Sequence, residues 1–191
     1  MKKYQIIYAD PPWSYDDKIG SGNAKMGSCE YHYSTMTMED IDKLPINSLA
    51  DKNCILFLWV TMPLLNKVFQ IISDWGFTYK TVAFVWIKLN PKSGNIFKGI
   101  GRWVQGNAEM VLLATVGKPQ RISKSISQII MEKRSRHSEK PHIIREKIIE
   151  LMGDLPRIEL FARHKAKGWD AWGNEELEEA YIQDKLNDKN K

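Results

Sequence analysis

The sequence predicts one α/β domain, built on a mostly parallel twisted sheet with helices on both faces. Strand-like runs alternate with helical patterns along the 191 residues. Most of the strand runs are apolar throughout, as in strands buried on both faces of a sheet. No linker or internal repeat divides the chain, and this length suits a single core of ordinary size. We therefore expect one domain over residues 1–191, with a frayed tail over 187–191.

The first half predicts two strand–helix steps. Residues 4–9 are a continuous apolar run, and residues 14–34 lack periodicity and hold three glycines, which indicates a strand followed by a long loop. Thr37 suits the N-cap of a short helix over 37–44 that Pro45 ends. Strands over 54–60 and 78–88 should flank a helix that runs from Pro63 to Gly76.

The second half predicts the remaining elements. Residues 89–106 contain four glycines and form a second long loop, which a strand over 107–116 and a basic connector follow. Pro141 opens a helix that closes near Gly153. A last strand over 157–162 and a terminal helix over 175–186 complete the expected order.

The charge distribution is uneven. The formal net charge is +5, and positive side chains concentrate between residues 88 and 140, largely in predicted loops. Basic loops suit a phosphate backbone, although a charge run alone is more often a solvated face. No apolar stretch is long enough to span a bilayer, and we expect no membrane association. Two distant cysteines and four histidines without ligand spacing predict neither a disulfide nor a metal site. These features favour a reducing cytoplasm.

The segment Asp10-Pro11-Pro12-Trp13 directly follows the first predicted strand. A carboxylate at the carboxyl end of a buried strand lies where open α/β sheets bind ligands. The prolines force an extended exit with free carbonyl acceptors, and the indole offers a face on which a base could stack. These are the groups needed to hold an exocyclic amino group. The alternative, a strand-ending turn with a packing tryptophan, stays open on these residues alone.

A second unusual segment closes the chain. Glu159-Leu160-Phe161-Ala162-Arg163 ends a strand, and Gly168-Trp169 and Trp172-Gly173-Asn174-Glu175 follow in a turn-like stretch. Glycines permit close backbone approach, and Asn and Arg side chains can hold sugar hydroxyls or a carboxylate. A tryptophan-rich cover over a sheet edge explains the same residues equally well.

Together these motifs resemble the MT-A70 family of adenine N6-methyltransferases. The resemblance rests on Asp10-Pro11-Pro12-Trp13, Tyr33-Ser34-Thr35-Met36, the strand 56–61 and the closing segment, in the family's order from about residue 6 to 175. It implies a Rossmann-like class I methyltransferase fold with permuted motif order. It also implies S-adenosyl-L-methionine as methyl donor and a short bacterial or phage type of enzyme.

The resemblance also assigns roles to residues. Asp10, Pro11, Pro12 and Trp13 match the catalytic motif, in which Asp10 and the Pro11 carbonyl each accept one N6 hydrogen. The positions matched to the cofactor site are Asp10, Lys140, Arg163, Asn174 and Glu175, and those matched to the substrate site are Trp13, Tyr33 and Glu109. Glu175 replaces a glutamine found in some relatives, and no glycine-rich turn marks the cofactor strand.

The expected activity is methylation of adenine N6 in DNA. Such an enzyme must extrude a paired adenine or act on a single strand, and the loops 14–34 and 89–106 are the candidates for gripping it. RNA as substrate stays open, as does a non-catalytic nucleic-acid-binding subunit. A cytosine N4 enzyme is disfavoured by Asp10, because its motif more often begins with serine. A homodimer and an accessory subunit also stay open.

Overall fold

The computed structural model describes residues 2–14, 35–101, 103–135 and 139–173. In these residues seven strands form one sheet, in the order β5-β3-β4-β2-β1-β6-β7. In chain order they are β1 (Tyr4–Ala9), β2 (Ala50–Val60), β3 (Thr78–Leu89), β4 (Ala108–Val116), β5 (Ile129–Lys133), β6 (Arg157–Leu160) and β7 (Asp170–Trp172).

The predicted mostly parallel sheet is confirmed. Strand β1 lies parallel to both β2 and β6, and the pairs β3–β5 and β6–β7 are also parallel. Among the described strands only β4 runs the other way, antiparallel to β2 and β3. The first residues of β4 therefore lie at the edge where the other strands end. We call this edge the carboxyl edge.

The helices agree closely with the sequence patterns. They are α1 (Met38–Asp42), α2 (Leu65–Asp74) and α3 (Ile143–Met152), and short 3-10 turns cover Ile46–Ser48 and Met62–Leu64. The Thr37 side chain caps α1 by accepting from the Asp40 backbone N–H, as predicted. Glycines with positive φ follow α2 and α3 at Gly76 and Gly153.

Helices cover both faces of the sheet, which confirms the predicted layers. On one face, α1 and α2 bury Ile41, Val68 and Ile72 against alternate residues of β1 and β2. On the other, α3 packs on the intervening residues of the same strands through Ile144, Ile148 and Met152. We call this second side the α3 face. Because successive side chains of a strand point to opposite faces, each strand contributes to both cores.

Two strands were not predicted from sequence. Strand β5 lies in the expected basic connector, and β7 lies in the expected turn-like stretch over 168–175. Both are short, and Ile129, Met131 and Trp172 on them are largely exposed, so neither has the continuous apolar character of a central strand. The predicted terminal helix, the tail and nearly all of the loop 14–34 lie outside the described residues.

In the part of the chain that the structure describes, the α-helices are five to ten residues long, and none has the length and apolar character needed to cross a membrane.

Candidate active site

Charged side chains collect on the α3 face at the carboxyl edge. Tyr8 faces α3 from β1, so Asp10, two residues further on, leaves the strand on the same side. Trp86 and Val111 also face α3, which places Lys88 at the end of β3 and Glu109 at the start of β4 beside them. Because β4 is antiparallel, its second residue reaches the edge where β1 ends.

Asp10 lies at the point where the strand order reverses. Its backbone N–H donates to the Leu160 carbonyl at 3.5 Å, so it sits between the ends of β1 and β6. The Lys140 Nζ is 2.9 Å from its Oδ2, and one quarter of the Asp10 side chain is exposed. Burial raises the pKa of Asp10, whereas Lys140 acts to lower it. The lysine therefore favours the ionised carboxylate.

Lys140 is shared between two carboxylates. Its Nζ is also 3.5 Å from Glu109 Oε2, and Lys88 Nζ lies 2.5 Å from the other oxygen of Glu109. Burial acts to lower the pKa of Lys140, but Asp10 and Glu109 outweigh it and raise the pKa. Burial acts to raise the pKa of Glu109, but Lys140 and Lys88 lower it. The two carboxylates and two ammonium groups form a charge-balanced cluster, which we call the four-charge cluster.

The remainder of the Asp-Pro-Pro-Trp motif differs from the sequence expectation. The proline carbonyls are not free, because Pro11 O accepts from the Trp13 N–H at 2.8 Å and Pro12 O accepts from the Met36 N–H at 2.9 Å. Trp13 is 5% exposed, and its Nε1 donates to the Trp59 carbonyl. The indole therefore offers no open stacking face in this structure, and its contact with the substrate base stays a prediction. A buried, hydrogen-bonded indole holds the motif against the core instead.

A buried ion pair forms the base of the site on the β6 side. Arg145 of α3 donates from Nε and Nη2 to the two oxygens of Glu159, both at 2.6 Å. Burial raises the pKa of Glu159 and Arg145 opposes it. The His142 Nδ1 lies 2.9 Å from Arg145 Nη1. The two hydrogen bonds from Arg145 to Glu159 hold the first turn of α3 against β6.

An open cleft is lined by Asp10, Lys140, Arg145 and Glu159. Asp10 and Tyr8 form one wall, and Phe161 and Arg163 follow β6 on another. Phe161 has a φ of 60°, the left-handed region that is unfavourable for a bulky residue. Such strain is characteristic of functional sites, and here it turns the chain sharply as it leaves β6. The structure thus brings Asp10, Lys140 and Arg163 to one cleft, with Glu109 beside it.

Residues 168–173 of the closing segment contribute less to the candidate active site than their composition suggested. Trp169 is buried and packs against Tyr8 with ring centroids 5.9 Å apart, and Ala162 N–H donates to the Trp172 carbonyl. The tryptophan-rich cover of a sheet edge is therefore observed for residues 168–173. Tyr33, Asn174 and Glu175 lie outside the described residues, so their roles stay predictions.

Three site residues were missed from sequence. Lys88 and Glu159 are charged residues flanked by apolar neighbours in β3 and β6, and Arg145 lies beside the apolar stripe of α3. A charge in a buried strand requires a partner, and that was a usable indication for Lys88 and Glu159. The pairing itself depends on strand order and could not be read from spacing.

Comparison with known proteins agrees with this geometry. The chain matches MT-A70 over residues 4–175, which includes every element of the sheet. The chain belongs to the MT-A70 family. Its fold is accordingly the Rossmann-like methyltransferase fold that the sequence predicted.

Family relatives carry methyltransferase names. The chain is 36% identical over 191 residues to the Type II methyltransferase M.MunI of Mycoplasma sp, covering 91% of this chain and 78% of M.MunI. It is 27% identical to the human N(6)-adenine-specific methyltransferase METTL4, covering 95% of this chain and 39% of METTL4. It is also 27% identical to the N6-methyladenosine RNA methyltransferase MTA1 of Pyricularia oryzae, covering 91% and 47%. The chain thus spans less than half the length of these two eukaryotic relatives.

Proposed function

We propose that this MT-A70 protein transfers the methyl group of S-adenosyl-L-methionine to N6 of adenine in DNA. The observation that carries the proposal is the Asp10 carboxylate at the carboxyl end of β1, which faces the cleft and is paired with Lys140. Family membership supports the reaction class. The similarity to a Type II methyltransferase over most of both chains favours DNA.

The charges that line the cleft suit the proposed methyl donor. Lys140 and Arg163 supply positive charge for the carboxylate of the donor's methionine portion, and Asp10 lies beside them as an acceptor for its ammonium group. When bound, S-adenosyl-L-methionine supplies a methyl group on positively charged sulfur. Asn174 and Glu175 are proposed to add contacts to the same molecule.

Asp10 is proposed to activate the acceptor nitrogen. The N6 lone pair of adenine is delocalised into the ring, so the amine is a poor nucleophile. The Asp10 carboxylate accepts one N6 hydrogen and the Pro11 carbonyl accepts the other. The Pro11 oxygen already accepts from Trp13 N–H, but a carbonyl oxygen has two lone pairs. Holding both hydrogens draws the nitrogen toward tetrahedral geometry and localises its lone pair.

The proton leaves after methylation. A carbon–nitrogen bond forms, the bond from methyl to sulfur breaks, and N6 then carries one surplus proton. Asp10 is placed to receive that proton, and its burial-raised pKa makes it a better acceptor than an exposed carboxylate. Lys140 holds Asp10 ionised beforehand, and Glu109 with Lys88 fixes the position of Lys140. Glu109 is also proposed to border the adenine pocket.

RNA is the second candidate substrate, since MTA1 is named as an RNA methyltransferase and aligns over most of this chain. Asp10 and Lys140 are equally suited to adenine from either nucleic acid. The proposal is therefore tested by labelled methyl transfer to single-stranded DNA, duplex DNA and RNA, with the product nucleoside identified by mass spectrometry. We expect N6-methyladenine in DNA. Product in RNA alone would overturn the DNA assignment.

Variants of Asp10 test the site itself. Asp10→Ala should lower kcat by about 10²–10⁴-fold, the range typical for loss of a proton-transfer group. Asp10→Asn keeps the shape but donates where a carboxylate accepts, so it should be equally impaired. Circular dichroism and calorimetric binding of S-adenosyl-L-methionine to wild type serve as controls. Substantial turnover in a folded Asp10→Ala variant, or a wild type that binds no donor, would contradict the proposal.

A further inference from the structure

An exposed apolar group projects from the loop that joins β3 to β4. In the described residues of this loop, Trp103 is 96% and Val104 79% exposed, and Ile100 is fully exposed. Apolar side chains of this size are seldom all displayed together on a soluble protein without a binding role. We call Ile100, Trp103 and Val104 the loop tip.

Backbone hydrogen bonds close the root of this loop. Lys88 N–H donates to the Asn107 carbonyl at 2.9 Å, and Phe97 N–H donates to the Lys88 carbonyl at 2.7 Å. A Cβ at Gly99 or Gly101 would overlap backbone oxygens of the same loop, at Gly106 and Val104. These two glycines allow the chain to fold tightly back on itself, which leaves the apolar side chains no interior to occupy.

The surroundings of the loop tip complement a polyanion. Residues 90–107 contain two lysines and one arginine and no acidic residue. Lys92 and Lys98 are exposed, and Arg134 stacks on Phe97 of the loop with its guanidinium carbon 3.5 Å from the ring centroid. An apolar centre with a cationic border suits bases flanked by phosphates, whereas a second copy of this basic chain would add like charge.

The loop root is also part of the candidate active site. Lys88, which closes the loop, contacts Glu109, and Glu109 shares Lys140 with Asp10. Trp103 precedes Glu109 by six residues, so their Cα atoms lie within about 22 Å even if the chain were fully extended. That upper limit corresponds to about six base steps of a duplex, at about 3.4 Å per step.

We propose that the loop tip, led by Trp103, is a wedge that enters the base stack of a duplex and fills the space left by the adenine that the enzyme extrudes. This inference rests on the proposed function. Extrusion requires unstacking and unpairing, and apolar side chains inserted between base steps stabilise the opened duplex. Trp13 is buried and cannot take this part, so the exposed aromatic ring comes from the loop instead.

The test compares a paired with an unpaired target adenine. The substrates are a DNA duplex containing the methylated site found for the wild type, the same duplex with an abasic site opposite that adenine, and the single strand. Trp103→Ala should lower kcat/KM at least about tenfold on the paired duplex, since each unstacked step costs a few kcal/mol. On the two unpaired substrates it should stay close to wild type. Trp103→Leu, which keeps an apolar wedge, should recover much of the loss.

Tyr79→Ala is the matched control. Tyr79 is a partly exposed aromatic residue near the start of β3, about 30 Å along the strand from Lys88 at the loop root. Any change in kcat/KM caused by Tyr79→Ala should be the same on paired and unpaired targets. A second readout uses 2-aminopurine at the target position, whose fluorescence should rise on binding wild type to the duplex and rise less with Trp103→Ala.

Other outcomes separate this proposal from the proposed function. Equal loss on paired and unpaired targets, or no loss on either, would overturn the wedge while leaving adenine methylation intact. A change in sedimentation coefficient for Trp103→Ala would show instead that the loop tip is a contact between copies of the chain. A wild type that methylates no nucleic acid would refute the proposed function itself, and that result is read before any variant is tested.

Discussion

Lys140 lies 2.9 Å from Asp10 and 3.5 Å from Glu109, so two carboxylates share one ammonium group. Lys88 compensates Glu109 from its other side. This arrangement makes the charge of Asp10 sensitive to both Lys140 and Glu109. Burial raises the pKa of Asp10, Lys140 lowers it, and the like charge of Glu109 raises it.

The acidic limb of the pH–rate profile should therefore move in opposite directions in two variants. Methyl transfer needs ionised Asp10, so kcat/KM falls as pH drops through the pKa of that carboxyl. Lys140→Met removes the charge that lowers this pKa, and the limb should move to higher pH. Glu109→Gln removes a charge that raises it, and the limb should move to lower pH. Profiles of kcat/KM against pH for both variants and wild type measure the two shifts.

The proposed binding role of Lys140 and its effect on the pKa of Asp10 change different kinetic parameters. Loss of a donor contact in Lys140→Met raises the KM for S-adenosyl-L-methionine at every pH, whereas the charge effect shifts the position of the limb. Lys88→Met serves as a further control, because it affects Asp10 only through Glu109. A limb that moves the same way in Lys140→Met and Glu109→Gln would contradict the shared-lysine argument.

The Arg145–Glu159 pair predicts a pH-dependent loss of stability. Arg145→Met leaves the buried Glu159 without its two-pronged donor and should destabilise the fold by about 3–5 kcal/mol at neutral pH. Burial raises the pKa of Glu159 in the folded state, and losing Arg145 raises it further. The folded state then binds the proton more tightly than the unfolded chain, so stability falls as pH rises between the two pKa values and recovers on acidification.

Urea unfolding of Arg145→Met at acidic and at neutral pH measures this effect. The double variant Arg145→Met with Glu159→Gln removes the orphaned charge, so its loss of stability should be smaller and nearly independent of pH. Equal pH dependence in the single and double variants would show that Glu159 is not the titrating group.

At the scale of elements, continuous apolar runs identified β1 and β2 from sequence because the cores of these strands are buried on both faces. Enrichment in β-branched and aromatic residues identified β3. An apolar run does not show, however, in which direction its strand runs in the sheet. A run such as 108–116 looks alike whether the strand is parallel or antiparallel, and only the sheet shows that β4 is reversed. Edge strands β5 and β7 were missed because they are short and half exposed.

Helix α1 makes an element-scale prediction. Thr37 caps this five-residue helix, and the preceding Met36 N–H donates to the carbonyl of Pro12 in the Asp-Pro-Pro-Trp motif. Thr37→Ala should cost about 1 kcal/mol of stability, the typical value for a lost N-cap. Thr37→Ser keeps the hydroxyl and should remain near wild type. Urea unfolding measures the change, and equal stability of all three proteins would show that packing of Ile41 alone holds α1 in place.

At the scale of the whole molecule, the sequence indicated where the candidate site lies but not which ion pairs form within it. An acid after a buried strand indicated Asp10, and resemblance to the family indicated Lys140, Arg163 and Glu109. The ion pairs among them depend on the reversal of β4 and on where α3 begins, which no local pattern encodes. The use of Pro12 O by Met36 likewise joins segments 24 residues apart in sequence.

The basic surface makes the last prediction. If nucleic acid binds at the carboxyl edge, Lys92 and Lys98 of the β3–β4 loop should each neutralise a phosphate, and each contact contributes about 0.9 to the slope of log K against log salt for duplex DNA. The double variant Lys92→Gln with Lys98→Gln should lower that slope by up to about 1.8 and weaken binding evenly across sequences. Fluorescence anisotropy of a labelled duplex over a salt series measures this slope.

Lys52→Gln with Lys80→Gln is the matched control, because both lysines are exposed near the opposite ends of β2 and β3 and the change in net charge is identical. An equal fall in slope for the control pair would mean that overall charge draws the nucleic acid to the protein and that the loop makes no specific phosphate contact.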